Sequence, residues 1–292
     1  QRGRYSGFKA LLEVPIPLII VSFTIGRLIA NGQMWAALFV CMGILLITML
    51  LTMLAPEKPL QEKPPALDWK PFIRLALMTA LFTLVILSMG WLVRTLGAQV
   101  NPVSTTSFMI SMGALGLIAM AIAVAVGVYF SVRLSIGNAA KEQPNFTWWV
   151  VNRLAFLVGS THLASFAVYF LQGRMGIERE LAAKPASQLL LIVGVFILIL
   201  ALPSGWLADR FGRKPLVAIS GLVAAAGTLV LILAPNMTII YIGGVLVGAG
   251  TGLFYTANWA LGTDLVPKEE AGRYLGISNL AGAGAGAVGA YI

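Results

Sequence analysis

The chain has 292 residues, of which 59% are hydrophobic and only 11% charged. A soluble domain carries about 25% charged residues, so too little polar surface is present to cover a globule of this size in water, and lipid must be its main solvent. The net charge of +9 raises nucleic acid as a partner, but the basic residues lie in short loops between apolar runs and form no continuous face, which favours membrane topology instead.

In chain order, the sequence opens Gln1-Arg2-Gly3-Arg4 and closes at Tyr291-Ile292 within an apolar run, so both ends read as cut and the chain as a piece of a longer protein. A spanning helix needs about 20 mostly apolar residues. Runs of that kind lie at 11–30, 34–54, 72–94, 108–132, 148–170, 188–207, 215–234 and 238–262, with a ninth from 275. They are continuous, not alternating, and too long for barrel strands. The expectation is an all-α integral membrane protein with about nine transmembrane helices.

In the first run, Glu13, Thr24 and Arg27 share a helix face, because 14 residues return to within about 40° of the start. A charge inside a span costs several kcal/mol unless it faces a partner or a cavity. Glu13 is therefore a candidate proton or cation site, with Arg27 beside it. Pairing of Glu13 with Lys9 and snorkelling of Arg27 are the structural alternatives. Cys41, the sole cysteine, lies within the second run, so no disulfide forms within the chain.

The linker from Ala55 to Lys70 carries Pro56, Pro59, Pro64 and Pro65 among mixed charges and reads as an extended, solvated connection. A second polar stretch runs from Ile136 to Phe146, and between the two lies the helix pair 72–94 and 108–132. His162, the only histidine, sits mid-span within Gly159–Ser165, where an imidazole relays protons, binds a polar solute or packs against a neighbouring helix.

Residues Gly205 to Lys214 read Gly-Trp-Leu-Ala-Asp-Arg-Phe-Gly-Arg-Lys and break the apolar chain with four charges in six positions. Tyr255, Thr256, Asn258 and Trp259 form a polar and aromatic patch near one end of the 238–262 run, with Trp259 alternatively an interface anchor. Gly284-x-Gly286-x-x-Gly289 matches the dinucleotide fingerprint by letter but lacks the preceding strand. Close helix packing accounts for it, and for Gly248, Gly250 and Gly252. The sequence offers no metal-ligand cluster, nucleophile–base arrangement or nucleotide-binding loop, so no cofactor, no metal and no enzymatic role are expected.

Assigning the first end and every second loop to one side puts 15 of the 20 basic residues there, Arg153 among them, and makes that side cytoplasmic. The Asp209 hairpin faces the same side. Gly3-Arg4-Tyr5-Ser6-Gly7 recurs 269 residues later as Gly272-Arg273-Tyr274-Leu275-Gly276, each opening an apolar run. Parallel repeats of this kind are a transporter construction.

The hairpin resembles the loop signature of the major facilitator superfamily, G-x-x-x-D-R-x-G-R-[RK], at every fixed position: Gly205, Asp209, Arg210, Gly212, Arg213 and Lys214. The stretch from Asp264 to Arg273 is similar to that family's loop before the penultimate helix of a half. The resemblance implies that the chain begins at the family's helix 5 and ends within its helix 11, and that the hairpin joins helices 8 and 9. It divides the chain into the end of an N-terminal half (1–55), a linker with an inserted helix pair (56–134) and a C-terminal half (135–292). The surplus pair is as in the fourteen-helix branches. The first run lacks the Gly-Pro signature of the drug–proton antiporters in those branches, so a sugar-type symporter and an efflux antiporter both stay open.

The resemblance also implies function. It makes the chain a secondary active transporter of a small solute by alternating access, coupled to protons or cations, in the plasma or inner membrane. The alternatives are a drug efflux antiporter and a non-transporting receptor or scaffold. Implied partners are a small-molecule substrate, a coupling ion and the lipid bilayer, with no nucleic acid and a monomeric state. Asp209 would latch onto the start of the first helix at Tyr5 to Gly7, and Arg213 would pair with Asp264, with Arg273 nearby. Glu13, Arg27, His162, Tyr255, Asn258 and Trp259 are the candidate solute and ion residues.

Overall fold

A computed structural model describes residues 15–54, 69–100, 104–137, 139–267 and 271–292, and they are helical almost throughout. The helices are α1 (Pro15–Phe23), α2 (Ile25–Ala30), α3 (Met34–Met53), α4 (Trp69–Gln99), α5 (Thr105–Ile136), α6 (Ala139–Glu142), α7 (Pro144–Met175), α8 (Arg179–Phe211), α9 (Arg213–Leu233), α10 (Met237–Leu265) and α11 (Ala271–Tyr291). Among the described residues six helices are long and apolar enough to cross a membrane, and α7 makes a seventh if its two bent segments count as one span. With α1–α2 and α11, these elements occupy the nine expected runs. The protein is an all-α, multi-pass membrane protein, and its lipid-facing character is plainest on α3, where Trp35, Leu45 and Met53 are all exposed.

Two runs differ from straight spans. The first is divided at Thr24, whose hydroxyl donates back to the Ile20 carbonyl at 2.6 Å. In α7 the axis bends by 59° between Leu163 and Ser165. No proline lies there. Thr161 donates to the Leu157 carbonyl at 2.6 Å one turn earlier, the kind of back-bonding that bends helices.

The helices form two compact units, residues 1–67 with 166–257 and residues 68–165 with 258–292. In the first unit α1 packs on α8, and α10 is held against both α8 and α9. Lipid tails offer no hydrophobic drive for helix association, so contact rests on small residues that let backbones close up. Gly248 and Gly252 lie against the α8 backbone at Val193 and Ile197, while Gly250 lies against α9 at Ser220 and Ala224. The three glycines thus serve two neighbours from one helix, as the packing expectation requires.

In the second unit α4 and α5 pack along each other, and α11 packs on both. Phe82 of α4 is the knob of this joint: a Cβ on Gly127 of α5 or on Gly284 of α11 would overlap its ring. The first part of α7 and the last turns of α10 complete the unit. Its core includes Val124, Val128, Phe146, Leu154, Tyr274 and Ile277.

Candidate functional site

The signature residues surround the turn between α8 and α9. Gly205 is buried in the last turns of α8, while Asp209 and Arg210 are exposed one turn later. Gly212 then breaks the helix at φ +93°, ψ 150°, a region that only glycine enters without strain. Arg213 opens α9, and Pro215 sits in its first turn, where a missing N–H costs nothing. An Arg213 Nη2–Asp209 Oδ1 ion pair of 3.7 Å spans the turn. Arg210 lies 5.2 Å from the Trp206 ring centre and 5.5 Å from that of Phe211, as a cation does when it reaches from an apolar face toward water. Lys214 is exposed.

Tyr5 to Gly7, the expected resting place of Asp209, lie outside the described residues, as do Glu13 and Lys9. Asp264 is exposed at the end of α10 in the second unit, and Arg273 stands in the first turn of α11. Arg27 is exposed and stacks 5.2 Å from the Phe23 ring centre.

The polar patch of α10 divides at the unit boundary. Thr256 is buried and donates to the Ala201 carbonyl of α8 at 3.1 Å, and Tyr255 lies edge-on to Phe254. Asn258 and Trp259 belong to the second unit, where they meet residues of α7 that sequence reasoning passed over. Arg153 was expected among the cytoplasmic loop charges. It is instead a buried side chain, 4% exposed, and not a solvated loop charge. The reason is its position inside its own apolar run, five residues past Trp148, where a charge must find partners in the protein.

Those partners form a compact cluster. Arg153 Nη1 donates to Asn258 Oδ1 at 3.1 Å, and Asn258 Nδ2 donates to Asn152 Oδ1 at 3.3 Å. The indole Nε1 of Trp149 donates to the Asn258 carbonyl at 2.9 Å. A Cβ on Gly262 would overlap the Trp149 ring, so this glycine is the seat that lets the indole reach. The guanidinium lies 5.1 Å from the Trp259 ring centre and 6.0 Å from that of Trp149, within cation–π range of both. An arginine fork, an amide and two indoles hydrogen-bond and stack; they offer no nucleophile.

His162 lies two turns further along α7, half-buried. Its Nε2 is 3.0 Å from the Ala285 carbonyl of α11, and a Cβ on Gly289 would overlap the ring. Gly284 and Gly289 of the false nucleotide motif thus seat Phe82 and His162. Ser160 and Ser278 carry buried hydroxyls with no hydrogen-bond partner among the described residues. A crevice of about 10 Å³, the room of one water, lies between Phe82, Val128, Ser131, Leu154 and Ile277. Among the described residues no group of three His, Cys, Asp or Glu side chains is placed to hold a metal.

Comparison with known proteins adds three findings. The family model described as Major Facilitator Superfamily matches residues 136–290. The "Minor myo-inositol transporter IolF" of Bacillus subtilis (strain 168) is 35% identical over 88 residues, which cover 30% of this chain and 20% of that protein. The "Uncharacterized MFS-type transporter C18.02" of Schizosaccharomyces pombe is 27% identical over 143 residues, covering 44% of this chain and 32% of that protein. The chain therefore spans a third or less of the length of these two relatives. No solved structure matches it.

Proposed function

Because the chain belongs to the major facilitator superfamily, we propose that it works in a secondary transporter that carries a small polar solute by alternating access. The observation that carries this reading is the family match over residues 136–290, with the complete loop signature set at the glycine-broken turn of α8 and α9. A polyol of the myo-inositol type is the solute class to try first, since one relative bears that name. Hydroxyl-rich solutes suit the residue types gathered here: indoles to stack on, with amide, guanidinium and imidazole groups to hydrogen-bond.

Asp209 and Arg213 act as a latch in this reading. Their pairing, and that of Arg213 with Asp264, belongs to one state of the transport cycle and breaks in the other, so their weight lies in the difference between states. The hairpin faces the cytoplasm of a plasma or inner membrane, in accord with the bias of basic loops. Glu13 takes the coupling proton or cation.

The experiment is uptake of labelled myo-inositol into vesicles carrying the protein, with and without an imposed proton gradient, for wild type and Glu13→Gln. Gradient-driven accumulation by wild type, lost in Glu13→Gln, is the expected result. Unchanged accumulation in the variant removes Glu13 from coupling. No uptake above empty vesicles under either condition turns the reading toward efflux or a scaffold.

A further inference from the structure

The inserted helix pair ends in a contact with the helix that holds the histidine in place. On α11, Gly284 receives the Phe82 ring of α4, and the next residue, Ala285, offers its carbonyl to His162 Nε2 at 3.0 Å. Neighbouring helical residues differ by about 100° in direction and about 1.5 Å in height. Phe82 meets α11 at Gly284, and His162 meets it between Ala285 and Gly289, the two glycines standing about 7.5 Å apart in height. Both grips are made by glycine: Gly284 and Gly127 leave room for Phe82, and Gly289 leaves room for the imidazole. Phe82 is 6% exposed, and a crevice of about one water's volume lies beside its ring.

We propose that Phe82 is a positioning residue for His162: by filling the notch between Gly127 and Gly284 it fixes the height of α11, so that the Ala285 carbonyl meets Nε2 and the ring rests on Gly289. The inserted pair α4–α5 thereby has a task, to hold α11 against α7. A carbonyl only accepts, so neutral His162 carries its proton on Nε2 and keeps the lone pair on Nδ1. If the ring leaves Gly284, α11 is free to shift along its axis, and a shift of one residue would replace the Ala285 carbonyl by one set about 100° further round the helix.

The consequence for transport rests on the reading that His162 belongs to the solute path, so the test has a separate readout. His162 is the chain's only histidine, and ¹⁵N-histidine labelling of the protein in detergent reports it directly, with His162→Gln identifying its signals. Wild type is expected to show a protonated-type Nε2 and an unprotonated-type Nδ1. Phe82→Ala should move both signals and broaden them, and Phe82→Met, which refills the notch with a flexible apolar chain, should bring them back toward wild type. Gly284→Ala displaces the ring from the other side and should move the same signals, which keeps the test intact if Phe82→Ala does not fold. Imidazole signals unmoved in a folded Phe82→Ala or Gly284→Ala, or a proton found on Nδ1, overturn the proposal. Moved signals sustain it whatever uptake does; myo-inositol uptake in the same variants tests the transport reading alone.

Discussion

The signature hairpin and the Arg153 cluster are both built on a few charges at the ends of long apolar helices, yet they are opposite kinds of object. In the hairpin, Asp209, Arg210 and Lys214 are exposed and lie within six positions of one another in the chain. In the cluster, Arg153 and Asn258 are buried and stand 105 positions apart. The Asp209–Arg213 pair is part-exposed, its side chains at 32% and 17%, and a pair so near water is worth about 1 kcal/mol or less, so it adds little to the stability of any one state. A buried guanidinium is costly without partners, so the Nη1 bond to Asn258 and the two nearby indoles weigh on stability.

That contrast breaks most easily at Arg153. Arg153→Met removes a charge-assisted hydrogen bond to Asn258 and the cation between two indoles, and should lower stability by about 3 kcal/mol, read from urea unfolding in detergent. Arg153→Lys keeps the charge without the planar fork and should recover only part of that loss. A change below about 0.5 kcal/mol in Arg153→Met would place this residue in the same class as the hairpin charges.

Gly212→Ala comes next, because it tests the one hairpin position whose role is structural. At φ +93°, ψ 150° a Cβ carries strain of about 1–3 kcal/mol, which thermal unfolding should register while Arg213 and Asp209 are left in place. A smaller effect belongs to Trp259→Leu: it keeps apolar bulk but removes the closer of the two rings from Arg153, at a cost of about 1 kcal/mol. An equal loss from Trp259→Leu in an Arg153→Met background would show that the ring does not act through the guanidinium.

The same contrast explains what could be read before the structure. Helices and hairpin were legible because their signals are local: runs of about 20 apolar residues, and six fixed positions within ten. The glycines of α10 and α11 were legible as packing residues, though which of them face which neighbour was not. Arg153 was legible only as a count among basic residues, because its partners Asn258 and Trp259 are supplied by a different helix and nothing near Arg153 names them. The one available signal was an arginine inside an apolar run, one turn after Trp149. Phe82 gave none, since an apolar residue in an apolar helix becomes particular only through the glycines opposite it. The bend of α7 and the break at Thr24 are local backbone features, which a hydropathy pattern does not register.

As a latch, in the function proposed above, the hairpin would serve the exchange between two states and not the stability of one. The most direct measurement pairs urea unfolding with myo-inositol uptake into vesicles for Asp209→Asn and wild type. Stability within about 0.5 kcal/mol of wild type and uptake reduced at least tenfold are expected. Stability unchanged and uptake also unchanged would contradict it.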